Sequence, residues 1–175
     1  MSIGKVCFSH GQESGPWGTK IRHLANLATT RDWAVESLDY QGMADPLARA
    51  AKLREYCQQL DAPPVLVGSS MGGFVALHVA AQMPVRALFL LAPALYLPGY
   101  EEHLPATPPT CPVFIVHGWR DDVVPCAGSQ RYAQANRSRL LLVDGDHRLT
   151  AQIDVVGGAF EQFLGELADA AESEA

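Results

Sequence analysis

The sequence predicts a three-layer α/β/α sandwich built on a mostly parallel six-stranded sheet. Two observations lead there. Short apolar runs alternate with helical patterns from one end of the chain to the other, as in successive βαβ units. Of the 175 residues 48% are apolar and only 18% charged, against a usual charged share of about 25%, which favours strands covered on both faces. No internal repeat and no linker interrupts the pattern, and the one proline-rich stretch, Pro93 to Pro112, reads as a loop. A single domain over residues 1–168 is expected, followed by an acidic, alanine-rich, frayed tail at 169–175.

Val6-Cys7-Phe8 opens the chain as a short buried strand ending at His10-Gly11. Ile21, Leu24, Leu27 and Ala28 then recur at helical spacing. Ala34 to Leu38 is the second strand. Asp45-Pro46 is an N-cap with proline at the first helical position, and Leu47, Ala50, Leu53, Cys57 and Leu60 continue that helix on one face. Pro64 to Val67 is the third strand, with a helix behind it that ends near Met83-Pro84. Val85 to Leu91, Pro112 to His117 and Leu140 to Val143 are the remaining strands. A helix from about Pro125 to Asn136 lies between the last two. Val156, Phe160, Phe163, Leu164 and Leu167 mark a closing helix.

Composition removes several function classes. A net charge of −6 with scattered Lys and Arg argues against a nucleic-acid surface and against binding to anionic membranes. The N-terminus has a single Lys5 before its apolar run is broken, so no signal peptide is expected, and Ala87 to Ala92 is too short to span a bilayer. Cys7, Cys57, Cys111 and Cys126 have no paired or metal-like spacing, which suits reduced thiols in the cytoplasm, with a Cys111–Cys126 bridge the one pairing left open. No metal site is expected, since no two histidines have H-x-x-x-H spacing, and no dinucleotide cofactor, since G-x-G-x-x-G does not follow the first strand.

In a parallel sheet the chemistry sits beyond the carboxyl ends of the strands. Gly68-Ser69-Ser70-Met71-Gly72-Gly73, between an apolar strand and an apolar helix, spells the G-x-S-x-G of a nucleophile elbow. The turn lifts the Ser70 hydroxyl above the sheet and aims the next backbone N–H at the same reacting centre. The plainer reading is a helix cap. Serine needs a base and the base an orienting carboxylate. Later strand ends supply both: His117-Gly118-Trp119-Arg120-Asp121-Asp122-Val123-Val124-Pro125, then Asp144-Gly145-Asp146-His147. His147 can take the Ser70 proton through one ring nitrogen. Asp121, Asp122, Asp144 and Asp146 are the acids in reach by sequence, and His10 and His117 stand at strand ends as well. A histidine base works as neutral imidazole, so activity is expected to fall as the pH drops through about 6–7.

His10-Gly11, Gly68-x-Ser70-x-Gly72-Gly73, His117-Gly118-x-x-Asp121-x-x-Val124-Pro125 and Gly145-Asp146-His147 together resemble the α/β-hydrolase superfamily, from Val6 to about Leu167. The third string is similar to the small esterase and dienelactone-hydrolase-like branches. The resemblance implies Ser70 as nucleophile, Asp121 as acid and His147 as base, with an oxyanion hole from the backbone N–H groups of Gln12 and Met71. His10 and His117 would then be structural. It also implies a minimal hydrolase without a cap, because Ala94 to Tyr100 and the proline-rich return behind it are too short to build one.

Leu95 and Tyr96, with Leu97 and Tyr100, are expected either to wall a substrate pocket or to pack the loop. Trp119 is a further pocket candidate that could instead pack under the acid loop. Glu13, if turned inward, would disfavour anionic substrates. The expected activity is hydrolysis of a small carboxylic ester or thioester through an acyl-enzyme, without cofactor. The alternative is a binding or scaffold protein on the same fold. A homodimer through an exposed sheet edge is the partner expected besides substrate.

Overall fold

The computed structural model of the chain describes residues 2–173. Six strands, β1 (Gly4–Ser9), β2 (Trp33–Leu38), β3 (Val65–Ser69), β4 (Ala87–Leu91), β5 (Val113–Gly118) and β6 (Arg139–Val143), form one sheet. Five helices alternate with them: α1 (Thr19–Thr29), α2 (Pro46–Gln58), α3 (Met71–Ala80), α4 (Cys126–Asn136) and α5 (Ile153–Ser173). The strands pair in the order β2-β1-β3-β4-β5-β6, every pair parallel.

The period of two along each strand splits its side chains between two cores. Val6, Phe8, Val65, Val67, Phe89 and Val116 face Leu24 and Ala28 of α1 and Phe160 and Phe163 of α5. Cys7, Leu66, Leu88, Leu90 and Ile115 point the other way, onto Leu53 and Cys57 of α2 and Phe74 and Leu77 of α3. Continuous apolar strands are thus buried on both faces. The α2 start is as the sequence predicts: Asp45 caps it, accepting from the Leu47 N–H at 3.0 Å, ahead of Pro46.

Strand ends shift by one or two residues from the sequence reading; β4, for example, begins at Ala87 rather than Val85. The closing helix continues through Ser173, so residues 169–173, expected to fray, are helical and exposed; the last two residues of the expected tail lie outside the described residues. All four cysteines are free thiols, Cys7 and Cys57 buried. Between β4 and β5 the chain forms only the one-turn 3-10 helix Glu101–His103, so among the described residues no cap domain covers the sheet. Among the described residues no helix is long and apolar enough to cross a membrane.

The strand order places the site. From β1 the chain moves outward to β2 through α1, then returns past β1 to β3 through α2. The loops after β1 and β3 therefore part toward opposite faces and open a crevice between them, the topological switch point of such sheets.

Candidate active site

Ser70 stands where β3 gives way to α3, with φ +55° and ψ −120°. A non-glycine residue at positive φ costs about 1–3 kcal/mol, and its neighbours hold it there. Its N–H donates to the Leu91 carbonyl (2.9 Å), and its carbonyl accepts from the N–H groups of Gly73 and Ala94 (both 3.0 Å). The flanking glycines are required by close approach. A Cβ at Gly68 would enter the backbone of Gly72 and Gly73, and one at Gly72 would enter the carbonyls of Ser9 and His10.

Three loops converge on this hydroxyl. His147, after β6, has Nε2 at 3.1 Å from Ser70 Oγ and Nδ1 at 2.7 Å from Asp121 Oδ2, after β5. The Asp121 side chain is fully buried. Its Oδ1 accepts from the N–H groups of Val123 (2.9 Å) and Val124 (2.7 Å). Burial works against the charged carboxylate, but the bonds from His147, Val124 and Val123 outweigh it and hold Asp121 below its ordinary pKa. Of the four acids open by sequence, the fold brings Asp121 to His147. Asp122 is exposed, and Asp144 pairs with Arg120 at the surface. Asp146 Oδ1 accepts from the N–H groups of Arg148 and Leu149, both 3.1 Å, and so shapes the turn that presents His147.

The two other strand-end histidines brace the loops. His117 is buried, and burial keeps its pKa below the ordinary value. Neutral, it accepts the Ser129 hydroxyl on Nδ1 (2.7 Å) and directs Nε2–H at the Val124 carbonyl (2.8 Å) and Asp121 Oδ2 (3.1 Å). His10 is also buried with a lowered pKa. Its Nδ1–H donates to the Gly11 carbonyl (2.8 Å), and Nε2 accepts the Tyr40 N–H (2.9 Å).

Arg49, which the sequence reading passed over, anchors the same loop. It is 1% exposed, with no ion pair among the described residues. Its Nη1 donates to the carbonyls of His10 and Gly11, both at 3.1 Å, and its Nε to that of Met43 at 2.7 Å. Two donors thus turn the Gly11 carbonyl toward Arg49. In a trans peptide the N–H of the following residue points away from that carbonyl, and Gln12 lines the cavity. Among the described residues neither this N–H nor that of Met71, at the start of α3, has a hydrogen-bond partner. The signal for Arg49 was present in its spacing, four residues before Leu53 on the buried side of α2.

A cavity of about 660 Å³ opens at Ser70 and His147 and runs along Gln12, Lys20 and Val123. The pocket residues predicted from sequence are not in its wall. Leu95 is buried in the core, Tyr96 lies under the Arg131 guanidinium at 3.9 Å, and Trp119, the pocket candidate that could instead pack, is 55% exposed. Glu13 does line the cavity, from an exposed position. Among the described residues no three His, Cys, Asp or Glu side chains gather as metal ligands would.

A hydroxyl–imidazole–carboxylate chain beside free backbone donors, on a parallel sheet without a cap, defines a class, and comparison with known proteins gives the same one. Residues 7–171 match the model of the alpha/beta hydrolase family. A crystal structure from Xanthomonas campestris pv. campestris, assigned to the alpha/beta hydrolase superfamily, is 36% identical, covering 95% of this chain and 99% of that one at a TM-score of 0.86. The chain belongs to the alpha/beta hydrolase family. Among curated proteins it is similar to the pimeloyl-[acyl-carrier protein] methyl ester esterase of Neisseria meningitidis, 34% identical over 112 residues, which are 58% of this chain and 41% of that protein. The mitochondrial palmitoyl-protein thioesterase ABHD10 of Pongo abelii is 22% identical, over 86% of this chain and 69% of its own. The chain thus spans about two-fifths of the first of these relatives.

Proposed function

We propose that this protein is a serine hydrolase that cleaves a small carboxylic ester or thioester through an acyl-enzyme. One observation carries the reading: the unbroken line from Ser70 Oγ through the His147 ring to Asp121, with links of 3.1 and 2.7 Å. Ser70 attacks the substrate carbonyl while His147 Nε2 takes its proton. Asp121 fixes the tautomer with the proton on Nδ1 and stabilises the imidazolium that forms. The oxyanion is received by the N–H groups of Gln12 and Met71, donors of a kind worth about 3–4 kcal/mol each in such sites. His147 then protonates the leaving alcohol or thiol, and water, deprotonated by the same ring, releases the acid and restores Ser70.

No cofactor takes part in these steps. The names of the two curated relatives, an esterase and a thioesterase, support the bond types. Four free cysteines suit a reducing cytoplasm, where we place the reaction.

The test is labelling with a fluorophosphonate, read by intact mass, on wild type, Ser70→Ala and His147→Ala. One adduct on wild type is expected, absent in Ser70→Ala and formed far more slowly in His147→Ala. A folded wild-type protein that takes no adduct would sink the reading and leave a binding or scaffold role on this fold.

A further inference from the structure

Lys20 is the second residue of α1 and stands in the wall of the cavity that opens at Ser70 and His147. It is half-buried, and among the described residues it has neither a carboxylate within 4.0 Å nor a hydrogen-bond partner. An ammonium stripped of water without a partner is costly, and such groups are retained where a ligand supplies the missing charge. The cost shows in its acidity. Burial pushes the Lys20 ammonium down to about 8, although the charges of Asp121 and Asp146 pull the other way.

The surroundings of Lys20 favour an anion as well. The N-terminus of α1 has no side-chain cap and no acid in its first turn, so its amides are open to a ligand. Ser14, Thr19 and Thr150 add neutral hydrogen-bonding groups, and Arg148 a second cation. Glu13 opposes them from an exposed position at the rim. Among the residues that line the cavity, Lys20 and Arg148 against Glu13 leave one net positive charge, which fits a carboxylate better than a phosphomonoester.

We infer that the ester or thioester cleaved at Ser70 carries a carboxylate, which Lys20 and the start of α1 bind. The substrate class is then a half-ester of a dicarboxylic acid or an ester of a hydroxy acid, according to which part of the molecule lies over α1. This rests on the serine-hydrolase reading, and Lys20 is a specificity residue within it. It also reverses the selectivity expected from Glu13 alone.

Matched fluorophosphonate probes test it without knowledge of the leaving group. One pair ends its phosphonyl alkyl chain in carboxylate or methyl, mimicking the acyl side; a second pair does the same on the alkoxy group. Wild type should label at least about tenfold faster with the carboxylate member of one pair, and that ratio should shrink as salt is raised. The ratio should collapse toward one in Lys20→Met, survive in part in Lys20→Arg and invert in Lys20→Glu. Because it compares two probes on one protein, partial loss of folded material cancels. Ratios near one in wild type, or a ratio untouched by Lys20→Met and Lys20→Glu, overturn the inference while labelling by the neutral probes leaves the hydrolase standing. Failure of every probe on folded protein removes both.

Discussion

At Ser70 the backbone is strained so that one hydroxyl clears its own strand, and at Asp121 four hydrogen bonds hold one carboxylate ionised and aimed. The neighbouring pair Asp121-Asp122 separates these roles. Asp121→Asn should cut hydrolysis by about 10³–10⁴-fold by spoiling the His147 tautomer, whereas Asp122→Asn should stay near wild type; steady-state kinetics on a neutral ester decides. Lys20 yields a stability prediction. Its folded pKa lies below the unfolded one, so between about 8 and 10.4 the unfolded chain binds more protons and wild-type stability rises with pH. Lys20→Met should therefore be more stable than wild type at pH 7, with the gap narrowing above pH 8, as read by urea midpoints. Ser70, Asp121 and His147 were legible because each lies in a short motif at a strand end. Lys20 was not, since one residue before Ile21 it reads as an ordinary helix-surface lysine, and only the return of α1 over the crevice brings it to Ser70.

Among the elements, α2 does more than cover the sheet, because Arg49 reaches from it to the loop after β1. Arg49→Met would leave the carbonyls of His10, Gly11 and Met43 without this donor, at a cost of about 1–3 kcal/mol for each one left unsatisfied. Stability should drop, and in the folded fraction kcat should fall more than KM rises, since in the proposed mechanism the Gln12 N–H receives the oxyanion. A KM-only effect would assign Arg49 to substrate binding instead. The loop after β4 shows the opposite case. By sequence Leu95 and Tyr96 suit either a pocket wall or loop packing, since an apolar segment at that end of the sheet serves both. In the fold α4 lies against them: a Cβ on Gly128 would stand 2.7 Å from the Leu95 carbonyl. The cavity forms on the other side, against α1.

For the whole molecule, element order was readable from periodicity and every strand was placed, with ends shifted by a few residues. What could not be read is which distant carbonyls a buried side chain meets. Acid stability follows from two such side chains. His10 and His117 both have folded pKa values below the unfolded one of about 6.5, so on acidification the unfolded chain takes up protons first and stability is lost from about pH 6.5 downward. Asp121, with a lowered carboxylate pKa, adds a second loss as the pH falls below its unfolded value of about 3.9. Thermal melts from pH 8 to 3 should show that early onset, and a flat profile down to pH 5 would contradict it. The same packing limits how the protein can change. Since Gly72 touches the backbone at the end of β1, the loop after β1 and the start of α3 are held in register by main chain against main chain, a contact that side-chain replacement elsewhere leaves in place. Gly72→Ala should cost about 3 kcal/mol or more. New substrate preferences must then arise opposite, along α1 and the turn after β6, so the molecule has one fixed jaw and one that selection can reshape.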